Sequence, residues 1–349
     1  MNLRNEFDIP ASAIVLAEGS FGETGGKTAN GVTLHSEVFD VEVVVDSTQA
    51  GTTASDVLGA DTNGDIPVAA TMSEAFEMAP DAAALVIGVA PAGGELPDEW
   101  VDDIKDAMST GCSIVSGLHT FLSEDSEWQA LAADAGVELY DVRKPPADDE
   151  LRVGDGRVDD VDVPVVLSMG TDCAVGKRTT TFELYREACE RGLDAGWVAT
   201  GQTGIMVGAH RGAVIDRIPS DFTAGMVEDL VCEVAEDHEI VFVEGQASLS
   251  HRAYSGVTLS ILHGAWPDAV VLVDDPDRTT RTHFERFEVW GIEREREFIN
   301  ELSDADVAAI STWGDQETVA DRHGIPAGNV YTDSGTSRLF NAALEVVDE

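Results

Sequence analysis

The sequence predicts an α/β protein of two domains, each built on a parallel sheet. Three observations carry that expectation. Apolar runs of strand length alternate with helix-patterned segments along all 349 residues, a length sufficient for two cores. A strand, a glycine-bounded loop, a lysine and a helix follow one another from Pro164 onwards. Between the halves, residues 148–162 are acidic and glycine-bearing, as a connector is. The expected domains are residues 1–150 and 163–349, joined by an acidic linker at 151–162.

In the first half, apolar runs place strands at 14–17, 41–45, 84–89, 113–116 and 137–140. Helices are expected at 97–109, opened by Pro97, and at 123–135. The strand at 84–89 runs into a turn at 90–94, and that at 113–116 into Gly117-Leu-His-Thr-Phe121. Both turns lie at strand C-termini, where open α/β sheets bind ligands. Within the linker, residues 151–158 are expected to fold back as a small hairpin. The second half offers strands at 164–167, 197–200, 240–243, 269–273 and 307–310. Helices are expected at 177–191, 221–236, 293–302, 315–322 and 335–347.

The strand at 164–167 leads into Gly170, Thr171, Asp172, Cys173, Ala174, Val175, Gly176, Lys177, Arg178 and Thr179. This is the form of a phosphate cradle, a P-loop. Successive backbone N–H groups point at an anion and the helix N-terminus adds its partial positive charge. Lys177 supplies a full charge, and Thr179 or Thr180 a hydroxyl. The spacing departs from the standard form: five residues separate Gly170 from Gly176, and Arg178 stands where Ser or Thr usually follows the lysine. A second Gly-Lys-Thr, ending at Thr28, fits a phosphate loop poorly, and Asn30-Gly31 is expected to break the helix after it.

Charge bounds the function. There are 66 acids against 21 bases, a net charge of −45, spread along the whole chain rather than gathered in a tail. Only four lysines occur, and one of them is Lys177. At about 1 M salt the Debye length falls to roughly 3 Å, so such self-repulsion is screened. The composition therefore points to the cytoplasm of an extreme halophile. No basic stripe exists to meet nucleic acid. The first residues carry no signal-peptide pattern, and no apolar run approaches membrane length. Cys112, Cys173, Cys189 and Cys232 show no metal or disulfide spacing and are expected to be reduced thiols, Cys173 filling space.

Four segments should converge on the loop of a parallel sheet. Thr200-Gly-Gln-Thr-Gly204 has small residues that let backbone approach a ligand. Residues 208–221 carry His210, Arg211, Asp216, Arg217 and Asp221. The run at 240–243 ends in Glu244, followed by Gln246, His251 and Arg252; an acid at such a strand end faces the phosphates of a P-loop. Asp274, Asp275 and Asp277 end a further strand and are expected to be solvated.

These segments resemble a known family. Gly170-Thr-Asp-Cys-Ala-Val-Gly-Lys-Arg-Thr-Thr, Thr200-Gly-Gln-Thr-Gly, Ile215-Asp-Arg, Asp221-Phe and Glu244-Gly-Gln-Ala-Ser-Leu-Ser-His recur together in it. So do Gly26-Lys-Thr-Ala, Gly88-Val-Ala-Pro and Gly117-Leu-His-Thr-Phe. The family was long filed as a domain of unknown function. It joins a Rossmann-like N-terminal domain to a P-loop NTPase-like α/β sandwich of the dethiobiotin synthetase type. Its DgcN-type members are D-glutamate N-acetyltransferases. The resemblance implies acetyl-CoA as cosubstrate, its phosphates held by residues 170–179 without a metal. It also implies a small acidic amino acid as acceptor. Glu244 and His251 are then the candidate bases, and Arg211, Arg217 and Arg252, with Asp216 and Gln246, the candidate substrate contacts. A homo-oligomer is the expected assembly.

Two other readings stand beside this one. In an ATP-dependent kinase or ligase, Lys177, Thr179 and Glu244 would serve ATP with Mg; Arg178 in the hydroxyl slot disfavours it. A non-catalytic nucleotide-binding module is disfavoured by the several convergent ionisable segments.

Overall fold

The apolar runs of the first half become six parallel strands in the computed structural model, which describes every residue except Asp61, Asn63, Ala90, Ala92, Asp348 and Glu349. The strands are β1 (Ala11–Leu16), β2 (Phe39–Val45), β3 (Val68–Ala69), β4 (Ala84–Ile87), β5 (Ser113–Ser116) and β6 (Leu139–Asp141). Their order, β3-β2-β1-β4-β5-β6, is that of a Rossmann sheet. The connecting helices are α1 (Lys27–His35), α2 (Ala54–Leu58), α3 (Met72–Met78), α4 (Asp98–Ser109) and α5 (Ser126–Ala135). Of the turn expected at 90–94, Ala90 and Ala92 lie outside the described residues.

Helix α1 corrects an expectation. It runs straight through Asn30-Gly31 because tertiary contacts outweigh propensity. The Asn30 side chain accepts the Gly22 N–H at 3.0 Å and donates to Glu23 O at 3.2 Å. A Cβ on Gly88 would stand 2.6 Å from that of Ala29, so glycine lets β4 meet the helix start.

The second half forms seven parallel strands in the order β15-β14-β11-β7-β10-β8-β9. They are β7 (Val165–Gly170), β8 (Ala195–Ala199), β9 (Arg211–Gly212), β10 (Ile240–Glu244), β11 (Ala269–Asp274), β14 (Asp306–Thr312) and β15 (Ala327–Gly328). A separate antiparallel hairpin joins β12 (Thr280–Arg281) to β13 (Phe284–Glu288). Every residue of β7, β10 and β11 is buried, the continuous apolar pattern of strands covered on both faces. The helices are α6 (Lys177–Glu190), α7 (Gln202–Val207), α8 (Thr223–Ala235), α9 (Ser255–Ala265), α10 (Ile292–Leu302), α11 (Gln316–His323) and α12 (Asp333–Val347).

Two compact units result: residues 1–145 with 202–209, and residues 146–201 with 210–349. Both departures from the expected boundaries have physical causes. Residues 151–162 are no free linker and no hairpin. Val158 is buried in the second core, and Arg157 pairs with Asp229 and Glu228 of α8. Glu228 and Asp229 are buried acids that need those partners, and the Asp155 N–H also donates to Glu228 at 3.0 Å. Helix α7 buries Ile205, Met206 and Val207 in the first unit, where Thr203 Oγ1 meets Thr28 Oγ1 at 2.7 Å. No helix of the described residues is long and apolar enough to cross a membrane.

Candidate functional site

The loop between β7 and α6 is shaped by small residues. A Cβ on Gly170 would lie 2.8 Å from Val175 Cγ2 and 3.0 Å from Lys177 Cδ, so only glycine lets the lysine fold over the loop. Ala174 and Gly176 have φ of 51° and 100°, which turns successive N–H groups towards one side. Gly176 caps α6 without any side-chain hydrogen bond, leaving the first-turn N–H groups open to an anion.

Lys177 is buried, and its Nζ donates to the Asp172 carbonyl oxygen at 2.5 Å. Burial pulls its ammonium down to about 8, against the nearby Cys173, Asp172 and Glu244. Burial likewise lowers the Arg178 guanidinium, whose Nη1 is buried without a hydrogen-bond partner. Three hydroxyls in and beside the loop are committed, those of Thr171, Thr180 and Thr181. Thr171 Oγ1 donates to Asp274 at 2.8 Å, Thr180 Oγ1 meets Ser311 Oγ at 3.0 Å, and Thr181 Oγ1 donates to Lys177 O at 3.0 Å. Asp274 is therefore not a solvated acid: burial raises its carboxyl, and Thr171 opposes that rise.

Asp172 orders the loop from behind. Its Oδ2 accepts the Thr282 N–H at 2.9 Å and faces Arg278 Nη1 at 3.4 Å, while Oδ1 faces Arg281 Nη1 at 3.5 Å. Burial alone would raise its carboxyl; the N–H groups of Thr282 and Cys173 and the Arg281 charge outweigh that and lower it. Arg281, 2% exposed, also donates to Thr171 O and to Ser248 Oγ and Ser250 Oγ. Ser250 in turn donates to buried Glu295, which accepts the Leu249 N–H at 2.9 Å. Arg281, Ser248, Ser250 and Glu295 escaped the sequence reading. They lie on the hairpin, on the loop after β10 and on α10, and no motif links them to the P-loop.

Asp172, Cys173 and His251 bring potential metal-ligand atoms within 4.8 Å of one another. With two guanidiniums and the Thr282 N–H already on Asp172, this set is built to fix the loop rather than to offer three free donors to a cation.

Glu244 closes β10 beside the loop. Its Oε2 accepts the Thr200 N–H at 3.2 Å, and the Thr200 hydroxyl donates back to Glu244 O at 2.7 Å. Gln246 Nε2 donates to Thr200 Oγ1 at 3.0 Å. A Cβ on Gly201 would stand 3.1 Å from that nitrogen and 3.8 Å from the nearer Glu244 carboxylate oxygen, so a glycine keeps this corner open. The expected Thr200–Gly204 segment thus divides: Thr200 and Gly201 stay here, and α7 leaves for the first unit.

His251 is brought close to Asp172 of the loop. Its Nδ1 accepts the Ala253 N–H at 3.2 Å, so the neutral ring carries its proton on Nε2. Burial and the Arg281 charge lower its affinity for a second proton. The Nε2–H is buried, lies 3.7 Å from Asp172 Oδ1 and has no hydrogen-bond partner. It is a donor.

The arginine candidates separate. Arg252 directly follows His251, is exposed and lies over the Phe287 ring at 4.6 Å. Arg211 sits on edge strand β9, three strands from β7, and pairs with Glu233 at 2.8 Å, so the structure does not bring it to the loop. Asp216 and Arg217 lie exposed on a short 3-10 turn after β9.

Comparison with known proteins agrees with the two-unit build. Residues 47–145 match the model of the DUF1611 N-terminal Rossmann-like domain, and residues 152–339 that of the DUF1611 P-loop domain, both described as of unknown function. The D-glutamate N-acetyltransferase of Tritonibacter scottomollicae is 35% identical over 291 residues, 79% of this chain and 85% of that protein. A D-glutamate N-acetyltransferase of Pseudoalteromonas sp is 38% identical over 194 residues, 56% of this chain and 57% of that protein. The crystal structure of a DUF1611 family protein from Anabaena variabilis superposes with a TM-score of 0.85 at 28% identity, covering 96% of this chain and 99% of that one. The chain therefore belongs to the DUF1611 family, as the resemblance to DgcN-type proteins implied, and is an enzyme of the N-acetyltransferase class.

Proposed function

We propose that the chain transfers the acetyl group of acetyl-CoA to the amine of D-glutamate, with the P-loop holding the phosphates of coenzyme A. One observation supports this above the others. An uncapped helix N-terminus with buried Lys177 and half-buried Arg178 stands beside a buried carboxylate, Glu244, at the next strand end. The first feature suits a pyrophosphate and the second an amine that must lose a proton. The curated relatives' names support the acceptor.

In this reading Glu244 takes a proton from the substrate ammonium, and the freed amine attacks the thioester carbonyl. The resulting oxyanion needs an N–H donor, and the unpaired Nε2–H of His251 supplies one. Collapse breaks the carbon–sulfur bond, forms the amide and returns a proton to the departing thiolate. Arg178 in place of a Mg-binding hydroxyl fits a metal-free anion, since a guanidinium pairs with phosphate directly. Arg252 holds a substrate carboxylate at the rim.

Thermal-shift titration in about 1 M salt tests the ligand. A ligand at 100 times its Kd stabilises by about 2.7 kcal/mol. Acetyl-CoA and CoA should raise Tm in a Lys177-dependent way. Stabilisation by ATP with Mg but by neither thioester nor CoA would replace this reading with the kinase-or-ligase one.

A further inference from the structure

Two large aromatic side chains stand exposed on the side of the P-loop away from Glu244. Trp313 follows the end of β14 and is 38% exposed; Tyr331 follows β15 and is 66% exposed. The indole packs on the loop backbone: a Cβ on Gly176 would meet Trp313 Cζ3 at 3.2 Å. The turn that carries it is tight, with the Gly314 N–H donating to Thr312 Oγ1 at 3.1 Å and Gly314 seated against Pro276. Tyr331 is fixed by its N–H donating to Asn329 Oδ1 at 2.9 Å.

Other exposed aromatics have partners within the chain. Trp290 packs with Phe298 and Arg294, Trp266 with His263, and Tyr254 stacks on His251. Among the described residues, neither Trp313 nor Tyr331 contacts another ring or lies under a cation. A flat, open ring resting on a phosphate loop is a stacking surface for a base.

We propose that Trp313, with Tyr331, is the platform for the adenine ring of the ligand whose phosphates enter the P-loop. The strand order supports this. From β7, the strands β11, β14 and β15 lie on one side and β10 and β8 on the other. A ligand with its pyrophosphate over β7 then places its base about 10 Å away over β14, two strand spacings off. Its acyl arm runs the other way, towards Glu244. Arg178, in the first turn of α6 with its Nη1 buried and without a hydrogen-bond partner, has Tyr331 among its electrostatic neighbours. The proposal rests on the reading that the loop holds phosphates of an adenine-bearing cosubstrate. Coenzyme A and adenine nucleotides share that chemistry.

Calorimetric titration of the full chain in high salt with CoA, ADP and inorganic pyrophosphate separates the possibilities. Base stacking predicts that Trp313→Ala weakens CoA and ADP roughly 5- to 150-fold and leaves pyrophosphate unchanged. Trp313→Phe, which keeps a ring, should recover most of the loss, and CoA should quench tryptophan fluorescence less in it than in the wild type. Equal binding of CoA and ADP by wild type and Trp313→Ala would overturn the platform. So would an equal loss for pyrophosphate, or no adenine compound binding the wild type. If ADP binds through Trp313 while CoA does not bind, the platform stands and the acetyl-CoA reading falls.

Discussion

Lys177 Nζ donates to the Asp172 carbonyl oxygen at 2.5 Å, so the P-loop lysine lies across its own cradle with its ammonium held near the point of neutrality, about 8. Below that pH the lysine is charged and can exchange this bond for a phosphate oxygen. Above it the free enzyme loses the charge. The value of kcat/KM for acetyl-CoA should therefore fall as pH rises through about 8, and Lys177→Arg should hold it to higher pH. Lys177→Ala should raise KM for acetyl-CoA roughly 10- to 150-fold with kcat little changed, because the contact exists in ground and transition states alike. A profile flat from neutral to strongly alkaline pH would count against this role.

Asp172 and Arg281 tie the loop to the hairpin, and both are buried. Asp172→Asn leaves Arg281 without its carboxylate and should cost about 3–5 kcal/mol in denaturant unfolding. Pairing it with Arg281→Met should cost less than the two changes summed. The folded carboxyl of Asp172 is lowered from 3.8. Its contribution is fully present above that unfolded value and is lost as pH falls through the folded one. The acid limb of the stability profile should be shallower in Asp172→Asn.

Position separates two arginines. Arg252→Ala should raise KM for the amino acid about tenfold, the worth of one charged hydrogen bond at its lower end. Arg211→Ala should leave KM within twofold, since Arg211 pairs with Glu233 on an edge strand. Steady-state kinetics with varied D-glutamate reads both; equal effects would remove Arg252 from the substrate site.

Much of the fold was legible because parallel strands buried on both faces leave unbroken apolar runs. The runs expected at 84–89, 113–116 and 240–243 became the strands Ala84–Ile87, Ser113–Ser116 and Ile240–Glu244. The loop and Glu244 were legible because glycine spacing, a lysine and an acid after an apolar run are local signals. What stayed hidden was non-local. Arg281 reaches Thr171 across 110 residues from a hairpin with no apolar alternation. The tautomer of His251 is set by a backbone N–H two residues away, which no side-chain pattern records. Residues 151–162 read as a linker from composition, and only the buried acids Glu228 and Asp229 show why they dock. Helix α7 was missed because six residues carry too little periodicity.

The net charge of −45 predicts a salt requirement. Folding and activity should need on the order of 1 M salt, where the Debye length is about 3 Å. Unfolding curves at stepwise lower KCl should shift to lower midpoints. Undiminished stability and turnover after desalting would show that the acidic surface is no adaptation to salt.

The most direct test follows both products in one reaction. Purified protein in about 1 M salt receives acetyl-CoA and either D- or L-glutamate, with thiol release measured by absorbance and N-acetylglutamate by mass spectrometry. Equimolar thiol and N-acetyl-D-glutamate are expected, with turnover lowered roughly 10²- to 10⁴-fold in Glu244→Gln. No thiol release with any amino acid, together with Lys177-dependent hydrolysis of ATP in the presence of magnesium, would contradict it.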